Sequence, residues 1–248
     1  MKLNDFMKEK IPVVEIFTSI SGEGITAGEV VTFIRTAGCN LRCSYCDTTY
    51  SYDEFSDENQ LLTPVEILDR ITEIGVKEII CTGGEPLEIG KSKRYLPLYL
   101  ADKGFKVRIE TNGSCPVYNK TEIINFTGDN KIPNLFYVLD IKSPSSGMSR
   151  FNIFEDNLRK LRKGDELKFV VGDSNDIDYA LKVIEKYKNL LANGEVIINF
   201  SPVFNRIEAG EIVEMLKRHY SYFIQNGLKV RLSLQIHKFI WPPEKRGV

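Results

Sequence analysis

No run of apolar residues in the chain approaches the roughly 18 needed to cross a bilayer. The opening Met1-Lys-Leu-Asn-Asp-Phe6 is followed by no signal-peptide core. A cytoplasmic protein with no membrane contact is expected. An excess of basic charge is also missing: 33 Lys and Arg against 34 Asp and Glu leave a formal net charge of −1. A phosphate backbone normally meets a basic surface, so direct binding of nucleic acid is not expected. Cysteine is sparse and uneven. Five residues, three of them clustered, do not make a disulfide framework, whereas a reducing cell would keep them free as metal ligands. Low-complexity segments and clean repeats are absent too. With 42% hydrophobic and 27% charged residues the chain is neither disordered nor membranous. Its 248 residues suffice for one sizeable core, read as a single domain over 1–248.

What is present centres on Cys39-Asn-Leu-Arg-Cys43-Ser-Tyr-Cys46. This spacing offers three thiolates to one metal centre and leaves a ligand position open. Thiolates suit iron–sulfur clusters, and a four-iron cluster normally takes four cysteines, so three imply one iron held for a non-protein ligand. S-adenosylmethionine suits that position. The alternative is a structural zinc completed by Cys81, Cys115 or one of the two histidines.

The rest of the chain alternates. Val13–Phe17 and Val30–Arg35 read as strands flanking the glycine-punctuated Ser21-Gly22-Glu23-Gly24. Thr63-Pro64-Val65-Glu66 is a capping box that opens a helix carrying Ile67, Leu68, Ile71 and Ile74 and ending at Gly75. Further strands are expected at 78–81, 105–110, 135–141, 167–171, 196–200 and 228–234. Helical patterns lie between them near 95–103, around Leu158, and over 179–191 and 207–223. Asp53 to Gln60 reads as a solvated loop. Such alternation argues for α/β architecture with parallel βαβ units curled into a partial (β/α) TIM-like barrel. Ligands in such folds lie at the carboxyl ends of the strands, where Cys39, Thr82-Gly83-Gly84, Thr111-Asn112-Gly113 and Lys142-Ser-Pro-Ser-Ser are placed.

The cysteine run, set within Phe33-Ile-Arg-Thr-Ala-Gly38 and followed by Cys81-Thr-Gly-Gly-Glu-Pro86, resembles the radical S-adenosylmethionine superfamily. Gly83 and Gly84 suit close approach of backbone to the methionine moiety, since they carry no Cβ. Further segments extend the likeness: Ile16 to Gly24, Arg35 to Leu41, Cys46-Asp47-Thr48, Glu110 to Ser114, Lys142 to Gly147 and Gln235 to Lys238. Together they resemble the 7-carboxy-7-deazaguanine synthase family, over nearly the whole chain. That resemblance implies a lyase that contracts 6-carboxy-5,6,7,8-tetrahydropterin to a 7-deazapurine, a step toward queuosine-type nucleosides. It also implies an electron donor such as flavodoxin or ferredoxin, and a homodimer.

By the same resemblance Cys39, Cys43 and Cys46 hold a 4Fe-4S cluster and Thr48 ligates Mg²⁺. Tyr45, Cys46, Asp47, Gly84, Asp140, Ile141, Lys142, Ser201 and Phe204 surround S-adenosylmethionine. Ile20, Ser21, Gly22, Glu23, Arg35, Thr82, Glu110 and His237 meet the pterin. Arg35 would grip the substrate carboxylate with paired hydrogen bonds, while Glu23 and Glu110 accept from ring N–H and amino groups. His237 reads equally as a core histidine. Ser21 stands where the family commonly has Gln, and the tail from Trp241 to Val248 runs beyond the family's short one. Two other readings share the cysteine spacing: a glycyl-radical-enzyme activase, and a non-catalytic iron–sulfur protein.

Overall fold

The structure is a computed structural model and describes residues 1–129 and 134–248. Its nine strands are β1 (Ile11–Ile20), β2 (Val30–Thr36), β3 (Gln60–Leu62), β4 (Glu78–Gly83), β5 (Lys106–Thr111), β6 (Leu135–Ile141), β7 (Glu166–Val171), β8 (Ile197–Pro202) and β9 (Lys229–Leu232). They form one sheet in the order β3-β1-β2-β4-β5-β6-β7-β8-β9. From β2 to β9 every pairing is parallel. The helices between them are α2 (Pro64–Ile74), α3 (Leu96–Asp102), α4 (Lys120–Thr127), α5 (Glu155–Leu158), α6 (Ser174–Asn193) and α7 (Ala209–Gln225), with short α1 (Leu3–Phe6) and α8 (His237–Ile240) at the ends. This is the expected partial (β/α) barrel, and no described helix is long and apolar enough to cross a membrane.

Three local features depart from the sequence reading. β1 pairs antiparallel with β2, because the connection holds no crossover helix and a chain that turns back directly can only run antiparallel. Gln60, read as the end of a solvated loop, instead starts the edge strand β3 against Ile11–Val13. Helix α4 lies where no helix was expected, started by Asn119, whose side chain accepts from Glu122 N at 2.9 Å. The capping box is formed as read: Thr63 Oγ1 accepts from Glu66 N at 3.3 Å and Glu66 Oε2 accepts from Thr63 N at 2.7 Å.

The period-2 alternation of the strands separates two environments. Cys81, Ile109, Leu139, Ile141, Phe169, Val171, Ile198 and Phe200 join the hydrophobic core. Their immediate neighbours Thr82, Glu110, Asp140, Lys168, Val170 and Ser201 line a cavity inside the barrel. The barrel is therefore apolar toward its helices and mostly polar toward its interior.

The terminal strands β3 and β9 do not pair with each other. The segment after β9 spans the gap by other means. Ile236 N donates to Gly22 O at 3.0 Å. Gln235 Nε2 donates to Glu23 Oε1 at 2.7 Å, and Lys238 Nζ to Asp47 Oδ2 at 3.2 Å.

Candidate active site

The cysteine loop leaves β2 at Thr36 and is fastened from below. Lys93, 1% exposed, donates from Nζ to Ala37 O at 2.9 Å and Gly38 O at 2.6 Å, and is paired with Glu88 at 2.8 Å. A buried cation in this position is tolerated because it is both hydrogen-bonded and ion-paired. Beside it, the Gly83-Gly84 turn hydrogen-bonds to the loop through Gly84 N to Thr36 O and Glu85 N to Gly38 O, each 2.8 Å. A Cβ on Gly83 would stand 2.2 Å from Thr36 O, and one on Gly84 1.8 Å from Gly38 O. The close approach that these glycines permit is thus made by the cysteine loop's own backbone. Glu85 is fully buried and accepts from Leu87 N, Thr111 Oγ1 and Asn112 N at 2.7–2.8 Å, which ties the β5 turn to the same unit.

Cys39, Cys43 and Cys46 are free and line one cavity. Burial pushes the Cys39 and Cys43 thiols up; Glu85 and Cys46 push Cys39 the same way, and Asp140, Cys46 and Cys39 do so for Cys43. Among the described residues no three His, Cys, Asp or Glu groups converge closely enough for a single metal ion. Three thiols and no fourth among the described residues of the cavity wall suit a cubane whose remaining iron is held by another ligand. Cys81 sits in the core at 1% exposure, and Cys115 is buried beside Asn40 and Ser114.

Acceptors for S-adenosylmethionine are also at hand. Among the described residues Tyr45 Oη and Asp140 Oδ1 are buried without a hydrogen-bond partner, and both residues line the cavity. Buried polar atoms left unpaired are costly, so these two fit a ligand that would satisfy them. Asp140 Oδ2 is held by Lys142 Nζ at 2.8 Å. Cys46, Asp47, Gly84, Ser201 and Phe204 line the same cavity.

Of the residues expected to meet the pterin, Ile20, Gly22, Glu23, Arg35, Thr82, Glu110 and His237 line the cavity. Glu23 accepts from Gln235 Nε2 at 2.7 Å, Ser201 Oγ at 3.2 Å and Lys168 Nζ at 3.5 Å. Arg35 spends Nε on Glu15 at 2.7 Å, a carboxylate that also accepts from Tyr50 Oη at 3.1 Å. Glu110 accepts from Thr82 Oγ1 at 2.8 Å, and burial pushes its carboxyl up. His237 packs on Gly22, where a Cβ would stand 2.0 Å from Nδ1. Thr48 Oγ1 donates to Asp47 Oδ1 at 2.9 Å within the cavity wall.

Two expected residues turn away. Ser21 is 2% exposed, with its hydroxyl bonded to Glu23 O at 3.1 Å and Thr26 Oγ1 at 2.9 Å, so it shapes the loop and does not face the cavity. Ile141 points into the helix-side core because it is one residue out of phase with Asp140. Conversely, the cavity includes Tyr50, Lys168, Gln235, Lys238 and Pro243 to Val248, none of which was assigned a role. The tail crosses the β1–β2 side with Arg246 stacked 3.7 Å from the Tyr50 ring centre. Lys168 had a visible signal, a lone lysine in an apolar strand; the tail's signal was its length beyond the family's short one, which left open whether Val248 meets substrate.

Residues 33–219 match the family model for the radical SAM superfamily. A 7-carboxy-7-deazaguanine synthase from Clostridium acetobutylicum is 41% identical over 95% of this chain and 98% of its own length. One from Leptospira interrogans is 34% identical over 96% and 98%. The crystal structure of QueE from Escherichia coli shares the fold, with a TM-score of 0.70 at 20% identity over 94% of this chain and 98% of that one. The three-cysteine loop, the glycine turn packed against it and the polar barrel interior stand in a chain that belongs to the 7-carboxy-7-deazaguanine synthase family of the radical SAM superfamily.

Proposed function

We propose that the chain converts 6-carboxy-5,6,7,8-tetrahydropterin to 7-carboxy-7-deazaguanine with loss of ammonia, toward queuosine-type 7-deazapurines. The observation that carries this reading is a single cavity lined both by three free thiols and by Glu23, Glu110 and Arg35. Cys39, Cys43 and Cys46 would hold a 4Fe-4S cluster, and Tyr45, Asp140, Lys142 and Gly84 would surround S-adenosylmethionine. Bound together, these two groups supply one-electron, hydrogen-abstracting chemistry that side chains alone lack.

The protein's part is orientation and exclusion of water. Glu23 and Glu110 accept from the pterin's N–H groups, and Arg35, with its terminal nitrogens not engaged by Glu15, meets the carboxylate. Thr82 keeps Glu110 aimed by its 2.8 Å bond. Thr48 would share Mg²⁺ with substrate and water oxygens, since one neutral hydroxyl is a poor site by itself. The tail over the cavity suits a small molecule better than the protein backbone an activase would act on. A flavodoxin- or ferredoxin-like reductant, a homodimer and a single domain over 1–248 complete the reading.

The test is anaerobic incubation of cluster-loaded protein with the carboxypterin, S-adenosylmethionine and a reductant. The expected products are 7-carboxy-7-deazaguanine and ammonia in equal amounts. Cleavage of S-adenosylmethionine with the pterin returned intact would overturn the reading.

A further inference from the structure

Lys168 lies on β7 between Leu167 and Phe169, which enter the core, and its own side chain enters the barrel, where it is 12% exposed. Nζ stands 3.5 Å from Glu23 Oε2. Burial alone would lower its pKa, but Glu23, Asp140, Glu110 and Asp47 face it and together raise it. It is therefore a permanent cation, unsuited to accept a proton near neutral pH and suited to donate hydrogen bonds.

An ammonium has three N–H donors. Among the described residues Lys168 spends one, at the long end of the hydrogen-bond range, on Glu23. Three other cations of the cavity wall are better engaged: Arg35 with Glu15 at 2.7 Å, Lys142 with Asp140 at 2.8 Å, Lys238 with Asp47 at 3.2 Å. Donors held out of water need an acceptor. Within 3.5 Å of each other in the cavity stand an acceptor-only carboxylate and a donor-only ammonium. That pair is complementary to a ring edge on which an N–H adjoins a carbonyl oxygen.

A pterin has such an edge: the 2-amino group, N3–H and the 4-oxo oxygen in sequence. Resting on the substrate reading above, we propose that Lys168 is a specificity-determining contact that donates to the 4-oxo oxygen while Glu23 accepts from N3–H and the 2-amino group. Arg35 is then left for the carboxylate at the far end of the molecule. A 2,4-diaminopteridine would turn an amino group toward Lys168 and oppose donor to donor. A site built to hydrogen-bond a group discriminates strongly against analogues that cannot answer it.

The test measures binding to cluster-loaded protein with S-adenosylmethionine present and no reductant, by fluorescence titration of 6-carboxypterin and of 2,4-diaminopteridine-6-carboxylate. The parent should prefer the 4-oxo ligand. Lys168→Met should weaken 6-carboxypterin by about 10- to 100-fold, the worth of a charge-assisted hydrogen bond, and leave the diamino ligand within about threefold. Equal weakening of both ligands, or of neither, overturns the assignment while leaving the substrate reading intact. If the methionine variant loses its cluster absorbance, Lys168→Gln serves, because an amide can flip to donate or accept: the preference should narrow by about 10-fold or more, down to the share that Glu23 keeps through N3–H, while both ligands still bind. A preference as large in Lys168→Gln as in the parent overturns the assignment. A parent that binds neither ligand overturns the substrate reading and this inference with it.

Discussion

Gly84 packs so closely on the carbonyl of Gly38 that the smallest side chain would stand 1.8 Å from that oxygen. The Gly-Gly turn and the cysteine loop are therefore one packed unit, and the metal ligands are positioned by a contact that tolerates no Cβ.

Gly84→Ala should cost about 3 kcal/mol in denaturant unfolding, as overpacking of backbone does, and should lower iron and sulfide content after reconstitution. Gly210→Ala, where a Cβ meets nothing within 4 Å, should stay within about 0.5 kcal/mol of the parent with full iron content. Iron content of Gly84→Ala equal to the parent would show that the loop assembles independently of the turn.

Serine at Cys39, Cys43 or Cys46 should abolish the cluster's visible absorption, since each thiol lines the cavity. Serine at Cys81 or Cys115 should not, since those thiols lie buried elsewhere. Iron analysis of the single variants and the triple variant decides it; full iron in the triple variant would overturn the assignment.

Arg35→Ala should weaken carboxypterin binding by about 1.5 to 3 kcal/mol, the value of hydrogen bonds to a charged group, with cluster absorption unchanged. Calorimetric titration of the substrate-like pterin provides the check. Affinity unchanged from the parent would assign Arg35 to its Glu15 and Tyr50 contacts alone.

Mg²⁺ should raise turnover in the parent, and Thr48→Val should remove most of that stimulation while leaving the cluster and S-adenosylmethionine binding intact. A valine variant that responds to Mg²⁺ as the parent does would make Thr48 a wall residue held by Asp47.

Burial holds His237 below the usual 6.5 of imidazole. The sign follows directly: the neutral ring that packs on Gly22 is favoured above 6.5, and its contribution is lost as pH falls through the lowered value. Carboxypterin affinity in the parent should therefore be flat from about pH 7 upward and fall on the acid side. His237→Gln should flatten the profile. An acid limb that survives in the glutamine variant would place the titrating group elsewhere.

The metal loop was legible because its chemistry is written in local spacing: Cys39, Cys43 and Cys46 need only one short loop to meet. The strands and long helices were legible because their apolar periodicity is also local. Parity was harder. Ile141 and Asp140 are adjacent in sequence but face opposite sides of the sheet, and a motif match does not say which of two neighbours looks inward. Ser21 was similarly hidden, since its partners within the loop are set by the turn geometry. β3 has no propensity strong enough to announce three residues; it exists because β1 offers an edge. Lys168 and the tail could be placed only by tertiary structure, because their significance lies in Glu23 and Tyr50, residues 145 and 196 positions away.

The unpaired edges at β3 and β9 give the barrel two grades of cohesion. Around most of its wall, neighbouring strands are joined by backbone ladders, and separating them would expose rows of amides to be resolvated together. Across the seam, the joints are mainly contacts made by individual side chains, among them Gln235 to Glu23, Lys238 to Asp47, Ser233 to Gly24 N and Glu166 to Ile25 N, with a backbone bond from Ile236 to Gly22. Each can be exchanged for water singly, at a cost near that of an ordinary hydrogen bond. Opening the seam would thus require no strand to leave the sheet, and the start of the cysteine loop, fastened at Ala37 and Gly38 by Lys93 and the Gly84 turn, is held from the laddered side.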